Sequence, residues 1–273
     1  MMELSRVEIG KTGVTVPPLG LGLFQIGRNK DTKYPQGYDL PSDKDVRRLF
    51  ITASNAGVTL LDTAPAYGTS ERRLGDIMWK ELGWPGGRDR WVISTKVGER
   101  YEGCTKGSWW DFSPIAVCRD VERSLQKIGV DYLDIVMLHS DGKDKQRLRS
   151  AALPTLRAIQ KRGDIRAVGA SVKTLAGARF AIEQEVDVLM IALNHTNRHM
   201  LPIVAEAKEA GVGLLIKKPL NSGLLARSSR AVERNFEFLA EAGVFDVGAA
   251  VVGTRLPQHL DKNLKACMKA IGE

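Results

Sequence analysis

Short apolar segments alternate with amphipathic helical segments along most of this 273-residue chain. Strand-like runs occupy residues 19–23, 58–62, 91–96, 132–138, 165–170, 187–193, 212–217 and 248–252. Each run precedes a segment with helical periodicity, at 43–56, 71–82, 114–128, 147–162, 175–184, 199–210, 231–242 and 257–270. Eight strand–helix units predict a closed (β/α)8 TIM barrel, an α/β fold. Because such barrels commonly have about 250 residues, we expect one domain over residues 1–273.

Glycines near the N-terminus bear on the competing doubly wound fold, which needs GxGxxG in its first strand-to-helix turn. The segment GLGLFQIG at 20–27 has GxG followed by four residues and a glycine, and no helix is predicted to open there. The sequence therefore favours the barrel. Upstream, RVEIGKTGVTVPPLG at 6–20 predicts two short strands around the turn Lys11-Thr12-Gly13, a hairpin outside the eight units.

Composition and charge limit the classes of partner. Lys plus Arg (40) exceeds Asp plus Glu (32), which gives a net charge of +8. The positive residues are scattered and form no stripe interleaved with aromatic rings, so we expect a solvated basic surface and no nucleic-acid partner. No apolar run approaches the roughly 20 residues that span a membrane, and MMELSRVEIG carries charges where a signal peptide is apolar. We therefore expect a cytoplasmic protein with no membrane partner.

The cysteines Cys104, Cys118 and Cys267 are an odd number and have no CxxC spacing. This pattern favours reduced thiols over a disulfide framework, and each is expected to be a small buried hydrophobic side chain. Only one histidine lies among the polar groups at strand ends, and no matching cysteine or carboxylate set accompanies it. We therefore expect no metal site.

Four reactive groups follow three neighbouring strands. In LLDTAPAYG, residues 60–68, Asp62 ends the second strand and Tyr67 lies in the loop after it. The segment WVISTK ends on Lys96, and YLDIVMLH ends on His139. Taken singly, each has a structural alternative: a packed tyrosine, a capping aspartate, a solvated lysine or a core histidine. In a parallel barrel, however, the C-terminal ends of the strands meet at one mouth, so we expect the four groups to converge.

This set resembles the catalytic tetrad of the aldo-keto reductases, and the resemblance extends along almost the whole chain. It implies that the N-terminal hairpin closes the bottom of the barrel. It also implies that Tyr67 donates a proton to a carbonyl oxygen while the ammonium of Lys96 lowers the pKa of the phenol. Asp62 would then pair with Lys96, and His139 would donate a hydrogen bond that orients the carbonyl.

The loops after strands seven and eight resemble the NADP-binding segments of the same family. They are LLIKKPLNSGLL at 214–225 and VVGTRLPQHLDKN at 251–263. Barrels commonly bind phosphate in these two loops, helped by a helix N-terminus. The resemblance implies that the pyrophosphate contacts Pro219, Leu220, Ser222 and Gly223. It implies that the adenosine end, with its 2′-phosphate on Thr254 and Arg255, contacts Gly253, Thr254, Arg255, His259 and Asn263. We expect NADPH, with NADH less favoured.

The nicotinamide end departs from the family pattern. The usual Ser-Asn pair after strand five appears as Ser171-Val172, and the usual glutamine of strand six falls on Met190. The aromatic residue that often stacks on the nicotinamide falls on Lys217. Ser171, Asn194 and Lys217 remain the candidates for anchoring this ring.

Other positions in the cofactor segments have a structural alternative or depart from the family pattern. Asn263 has the alternative of a solvated helix position, and Lys217-Lys218 that of an exposed strand end. At the phosphate end, His259 stands where an arginine is common, and Lys262 stands where a glutamate often contacts the adenine. The preference for NADPH is therefore expected to depend mainly on Arg255.

Aromatic residues in the loops after strands one and three are the candidates for a substrate pocket. The first loop, 24–42, carries Phe24, Tyr34 and Tyr38, and the second, 97–113, carries Tyr101, Trp109, Trp110 and Phe112. Phe24, Trp109 and Trp110 are the main pocket candidates, and plugs over the barrel rim are the alternative. Because the chain ends soon after its last helix, we expect no long C-terminal loop and an open pocket.

The predicted function is reduction of aldehydes or ketones with NADPH, acting on a small-molecule carbonyl substrate. The barrel also resembles the β-subunits of potassium channels, so a cofactor-binding redox sensor that acts as an interaction partner is the alternative. A lyase or isomerase is less favoured, because such sites usually need a Schiff-base lysine or a metal cluster. The sequence does not identify the carbonyl substrate or the oligomeric state.

Overall fold

The computed structural model describes residues 4–32, 37–103 and 105–273 and contains a closed barrel of eight parallel strands. The strands are β1 (Leu19–Gly22), β2 (Leu60–Asp62), β3 (Val92–Val97), β4 (Leu133–His139), β5 (Ile165–Ser171), β6 (Val188–Ala192), β7 (Gly213–Lys217) and β8 (Gly248–Gly253). Consecutive strands pair in parallel, and β8 pairs with β1 to close the barrel. The predicted (β/α)8 fold is confirmed. Tyr34 and Cys104 lie outside the described residues.

The helices between the strands are α1 (Phe24–Gly27), α2 (Asp43–Asn55), α3 (Ser70–Leu74), α4 (Pro114–Ile128), α5 (Asp144–Leu148), α6 (Ala152–Arg162), α7 (Leu175–Glu183), α8 (Pro202–Ala210), α9 (Ser229–Glu241) and α10 (Pro257–Ile271). Helix α3 continues as a π-helical segment, Gly75–Glu81, and short 3₁₀ turns cover Pro65–Tyr67, Arg88–Arg90, Asn221–Arg227 and Val244–Asp246. Within the described ranges, no helix is both long and apolar enough to cross a membrane.

Helix α4 illustrates how local sequence sets these boundaries. The hydroxyl of Ser113 accepts a hydrogen bond from the Ala116 amide, which satisfies one of the unpaired N–H groups at the helix start. Pro114 occupies the first turn, where its missing N–H costs nothing. The helix ends at Gly129, which adopts a left-handed conformation with φ of 75°. Its buried face packs on the barrel, as the amphipathic pattern of 114–128 predicts.

Three sequence predictions about helices are wrong in detail. A short helix, α1, does open within GLGLFQIG, although the closed barrel still excludes the doubly wound fold. The helix predicted over 147–162 is two helices, α5 and α6, separated by a turn in which the Ser150 hydroxyl accepts from the Ala152 amide. The segment 71–82 begins one residue earlier and changes to π-helical geometry at Gly75, where an added Cβ would lie 2.1 Å from the Lys127 carbonyl oxygen.

The N-terminal hairpin closes the bottom of the barrel. Its strands Val7–Glu8 and Thr15–Val16 pair in antiparallel fashion. Ile9, Val14 and Val16 are buried in one cluster with the residues that fill the barrel interior, such as Ile135 and Met190. Gly213, at the start of β7, permits this close approach, since a Cβ there would lie 2.3 Å from Ile9 Cγ1. The opposite, C-terminal end remains as the mouth.

A second hairpin, which the sequence analysis did not predict, follows β3. Its strands Glu99–Tyr101 and Ser108–Trp110 pair in antiparallel fashion, with Glu99 opposite Trp110 and Arg100 opposite Trp109. Directly opposite residues share a face of a two-stranded ribbon, and successive residues alternate. Glu99, Tyr101, Ser108 and Trp110 therefore lie on one face, and Arg100 and Trp109 on the other.

The two described cysteines are free. Cys267 belongs to the core between the barrel and the helices, and burial raises the pKa of its thiol to about 12. Cys118 is half-buried and packs against the same core. Both therefore contribute to packing, as expected from their spacing.

Candidate active site

Asp62 and Lys96 form a buried ion pair at the ends of β2 and β3. Lys96 Nζ donates to both Asp62 carboxylate oxygens, each at 2.8 Å, and to the Thr63 carbonyl oxygen at 2.8 Å. The two side chains are only 1% and 5% exposed. Ser94 adds a hydrogen bond to Asp62 Oδ1 at 2.9 Å. Burial opposes the charge on Lys96, but Asp62 and Tyr67 together outweigh it, and the pKa of Lys96 is raised.

Tyr67 is held beside this pair by a short turn that packs on α1. The 3₁₀ turn Pro65–Tyr67 follows β2, with proline at its first position. Gly27 lies against its far side, where an added Cβ would be 2.3 Å from the Tyr67 carbonyl oxygen and 2.2 Å from the Ser70 amide. The Thr69 amide donates to the Gly27 carbonyl at 3.0 Å. The absence of a side chain at Gly27 therefore lets α1 fix the position of Tyr67.

Burial and the charge of Lys96 have opposite effects on the pKa of the Tyr67 phenol. Lys96 Nζ lies 4.7 Å from the centroid of its ring, and the Phe24 ring packs edge-on against it at 5.0 Å between centroids. Burial raises the pKa of Tyr67 more than the Lys96 charge lowers it, so the net shift is upward. The predicted net lowering of this pKa is therefore wrong for the protein as it stands, although the predicted direction of the Lys96 effect is right. Tyr67 keeps its proton at neutral pH.

His139, at the end of β4, completes the cluster. Its ring lies edge-on to the Tyr67 ring, with 6.2 Å between centroids. Its Nδ1 atom lies 3.1 Å from Glu99 Oε2, in a geometry that makes no hydrogen bond. Burial lowers the pKa of His139 well below its usual value, and the nearby charges of Lys96, Lys217, Lys173 and Arg28 act in the same direction. The imidazole is therefore neutral at pH 7.

Lys217, at the end of β7, reaches across the mouth to the end of β5. Its Nζ donates to Ser171 Oγ at 2.8 Å and to the Val172 carbonyl oxygen at 2.9 Å. The alternative of an exposed strand end does not describe this side chain, which is half-buried and bonded on two sides. Desolvation, followed by the charge of Lys96, lowers the pKa of Lys217 to about 7. Ser171 is itself buried, and its hydroxyl is the acceptor of this ammonium.

Asn194 connects the loops after β6 and β7. Its Nδ2 donates to the Lys218 carbonyl oxygen at 3.1 Å, and its Oδ1 accepts from the Thr196 amide and hydroxyl. The side chain is buried. The Asn194 side chain therefore links the loop after β6 to the loop after β7 by hydrogen bonds. Met190 lies in the barrel interior, in the layer below the mouth.

The loop after β7 has an unusual backbone. Lys218, Asn221 and Ser222 have φ values of 55°, 47° and 54°, and Gly223 has φ of 90°. Left-handed conformations are uncommon for residues other than glycine, and clusters of them are found where a loop is shaped for binding. Pro219 is buried, Leu220 and Ser222 are half-buried, and Gly223 is exposed. The Asn221 and Gly223 amides donate to the Lys218 and Leu220 carbonyl oxygens, which holds the loop in this conformation at the predicted pyrophosphate position.

The loop after β8 leads into α10, whose first turn has no side-chain cap among the described contacts. Thr254 and Asn263 are buried, whereas Gly253 and His259 are exposed. The solvated alternative for Asn263 is therefore wrong, because the side chain faces the protein. Uncapped N–H groups at a helix start attract phosphate.

Arg255 is anchored by the loop after β1. Its guanidinium donates to the Asp39 carbonyl oxygen at 3.0 Å and lies over the Tyr38 ring, 4.8 Å from the centroid. Tyr38 in turn donates to the Arg28 carbonyl oxygen at 2.6 Å. Tyr38 therefore packs on Arg255, the residue predicted to contact the 2′-phosphate, and not in the predicted substrate pocket.

The other aromatic candidates for the substrate pocket lie in different parts of the structure. Phe24 lies against Tyr67, and Trp110, 40% exposed, shares the Glu99 face of the second hairpin. Trp109 lies on the opposite face, beside Arg100, whose Nε is bonded to Asp120 of α4. Phe112 is buried against Gly98 and packs as a rim plug. Phe24 and Trp110 thus face the mouth, whereas Trp109 faces α4.

Three residues of the site were missed in the sequence analysis. They are Glu99 beside His139, Gly27 behind Tyr67, and Arg28. The Arg28 guanidinium donates to the Ala66 carbonyl and to Ser108 Oγ and stacks 3.6 Å from the Tyr101 ring centroid, so it joins three loops. In the described ranges no group of three His, Cys, Asp or Glu side chains could hold a metal ion.

Comparisons with known proteins agree on one family. The sequence model of the Aldo/keto reductase family matches residues 18–244. A solved structure of a protein from Pseudomonas aeruginosa, assigned to the aldo-keto reductases, is similar with a TM-score of 0.84 and 37% identity, over 97% of this chain and 95% of its own. A D-threo-aldose 1-dehydrogenase from a Pseudomonas species is 27% identical over 87% of this chain and 76% of its own length. An NADH-specific methylglyoxal reductase from Escherichia coli is 28% identical over 81% and 69%.

The chain belongs to the aldo-keto reductase family, and it is an oxidoreductase. This family generally uses NADH or NADPH. The relative from Escherichia coli is named as NADH-specific.

Proposed function

We propose that this protein reduces small aldehydes or ketones to alcohols with NADPH, as a single domain over residues 1–273. The observation that carries the proposal is the cluster of Asp62, Tyr67, Lys96 and His139 at one mouth of the barrel. Lys96 and Asp62 are within hydrogen-bond distance, and Tyr67 lies between Lys96 and His139. These are the groups that carbonyl reduction needs beside its hydride source.

The proposed roles follow from the protonation states. Tyr67 holds its proton at neutral pH and donates it to the carbonyl oxygen as negative charge develops there. The Lys96 ammonium stabilises the phenolate that remains, and Asp62 holds this ammonium in place. His139, being neutral, orients the carbonyl through a hydrogen bond and does not compete as the acid. The cofactor supplies the hydride.

The residues around the mouth fit a dinucleotide phosphate. The loop Lys218–Gly223, with its left-handed residues, and the uncapped start of α10 would lie against the phosphates, and the N–H groups at the helix start would attract them. Pro219, Leu220, Ser222 and Gly223 would surround the pyrophosphate. The adenosine end would contact Gly253, Thr254, Arg255, His259 and Asn263, with Arg255 on the 2′-phosphate. Ser171 and Lys217 would lie at the nicotinamide end, and Asn194 would hold the loops that form it.

The proposed pocket is lined by Phe24 and Trp110, with the second hairpin as its outer wall. An aromatic wall beside one proton donor suits a small carbonyl compound. The two curated relatives named above are described by their names as acting on an aldose and on methylglyoxal, both small carbonyl compounds. This supports the substrate class and leaves the individual substrate open.

The test is an assay of NADPH and NADH oxidation with a panel of small aldehydes, ketones and aldoses. Steady turnover with NADPH supports the proposal, and retained cofactor without turnover supports the redox-sensor alternative. Tyr67→Phe should lower kcat by about 10²–10⁴-fold, the usual loss for a general acid, while the Kd for NADPH stays close to that of the wild type. A kcat within a factor of three of the wild type would remove Tyr67 from its proposed role.

A further inference from the structure

Lys217, which the proposed function places at the nicotinamide end, has one hydrogen-bond donor to which no role has been given. Two of its three N–H donors are taken by Ser171 Oγ and the Val172 carbonyl oxygen. For the third donor, no acceptor occurs among the hydrogen bonds of the described residues. The ammonium is thus fixed at the ends of β5 and β7 with one donor left over for a ligand in the mouth.

The charge of Lys217 is also uncompensated. Lys96 is matched by the Asp62 carboxylate, but within the described part of the chain no carboxylate lies within 4.0 Å of Lys217 Nζ. The charged groups that act on it are Lys96, Lys173 and Lys218, which oppose its charge, and Asp144, which favours it. Asp144 is occupied by the Lys173 and Thr174 amides and the Thr174 hydroxyl. His139, across the mouth, is neutral.

The position of Lys217 relative to the reaction is constrained by distance. Hydride transfer requires the donor carbon about 3–3.5 Å from the carbonyl carbon, and that carbonyl must lie beside Tyr67 and His139. The nicotinamide ring must therefore enter the same mouth, within reach of the β5 and β7 ends. The ring is neutral in the reduced cofactor and carries one positive charge in the oxidised cofactor.

We propose that Lys217 is a specificity-determining residue for the redox state of the cofactor. Its free N–H donates to the carboxamide oxygen of the nicotinamide, and its positive charge disfavours the oxidised ring. The site then binds the reduced cofactor more tightly than the oxidised one and favours carbonyl reduction over alcohol oxidation. This inference rests on the proposed function, because it needs a nicotinamide cofactor in the mouth.

The size of the effect follows from Coulomb's law. Two unit charges about 6–8 Å apart at an effective dielectric constant of about 20 correspond to about a 30- to 100-fold difference in affinity. Because the mouth is open to water on one side, we expect a ratio of at least about tenfold between Kd for the oxidised and Kd for the reduced form.

Isothermal titration calorimetry with NADPH, NADP⁺, NADH and NAD⁺ at pH 6.5 tests the inference. In the wild type, each oxidised form should bind at least about tenfold more weakly than its reduced partner. Lys217→Met should bring this ratio to within about threefold of unity, mainly through tighter binding of NADP⁺ and NAD⁺. Lys217→Arg, which keeps the charge, should retain the wild-type ratio.

The two cofactor pairs separate this inference from the choice of cofactor. The ring charge is the same in both pairs, so the ratio should appear in whichever pair binds, even if NADH is preferred. An unchanged ratio in Lys217→Met, or equal weakening of both redox forms, would overturn the inference and leave the proposed function intact. No binding of any of the four cofactors by the wild type would overturn the proposed function and the inference with it.

Discussion

Lys96→Met should separate the structural role of the buried ion pair from its catalytic role. Lys96 Nζ makes three hydrogen bonds of 2.8 Å, two of them to the carboxylate of Asp62. The substitution keeps the aliphatic stem but leaves Asp62 as a buried carboxylate with the Ser94 hydroxyl as its remaining partner. Removing one partner of a buried pair typically costs about 3–5 kcal/mol, because the other charge stays desolvated. For a chain of this size, this corresponds to a fall in Tm of roughly 10 °C.

The catalytic effect of the same change has a different origin. Without the ammonium 4.7 Å from its ring, Tyr67 keeps the burial and the charges of Asp62 and Glu99, all of which raise its pKa. We therefore expect kcat to fall by about 10²–10⁴-fold, and the pH–rate profile to lose the limb that reports Tyr67. The matched control is Asp62→Asn with Lys96→Met, which removes both charges. It should recover most of the lost stability and none of the lost activity.

Differential scanning fluorimetry and steady-state kinetics on the three proteins decide between the two roles. A single variant with wild-type Tm and an unchanged pH profile would refute the ion-pair reasoning. Recovery of activity in the double variant would show that the single variant fails through misfolding.

The contribution of the Lys96–Asp62 pair to stability depends on pH in a definite direction. Because the folded-state pKa of Lys96 is raised above 10.5, its stabilising contribution is full below about pH 10 and is lost as the pH rises through the folded pKa.

Three further outcomes are expected. Arg255→Ala should weaken NADPH binding by about 10- to 150-fold, the value of one charge-assisted hydrogen bond, and change the Kd for NADH little; equal losses by calorimetry would show that Arg255 supports its loop and does not bind the 2′-phosphate. Gly27→Ala should lower kcat by displacing Tyr67, since its Cβ would lie 2.3 Å from the Tyr67 carbonyl oxygen, and kinetics equal to the wild type would contradict this account. Because the pKa of Lys217 is lowered to about 7, the Kd for NADP⁺ should improve as the pH rises from 6 to 8.5. That for NADPH should change less, and a pH-independent ratio of the two would contradict the charge effect.

The barrel and the convergence of Asp62, Tyr67, Lys96 and His139 at one mouth could be predicted because both depend on one-dimensional patterns. Buried parallel strands are continuous apolar runs, and their boundaries in the sequence agree with the structure to within two residues. Once eight strands close into a barrel, their C-terminal ends must share a mouth. The convergence of Asp62, Lys96 and His139 is then a consequence of topology, and their spacing along the chain is irrelevant.

Lateral contacts could not be predicted in the same way. Glu99 lies three residues after Lys96, but its position 3.1 Å from His139 depends on the hairpin 99–110 folding back over the mouth. In the sequence Gly27 resembles any loop glycine, and the need for glycine there is evident only when α1 packs against the turn that carries Tyr67. The contact of Lys217 with Ser171 joins strands 46 residues apart in sequence. Each of these contacts needs the three-dimensional packing that periodicity does not encode.

The electrostatics of the mouth distinguish two possible proton donors. His139 and Tyr67 both lie beside Lys96, and burial favours the neutral form of each. The neutral imidazole has no acidic proton to donate, and it is the form present because burial and four neighbouring cations lower the pKa of His139. For the phenol, the neutral form retains the proton. Protonating His139 at neutral pH would add a positive charge that Lys96 and Lys217 repel, whereas deprotonating Tyr67 places a negative charge beside Lys96. The mouth therefore opposes proton uptake by His139 and keeps Tyr67 protonated, with Lys96 beside it to stabilise the phenolate left after proton transfer, so the phenol is the acid that this arrangement favours.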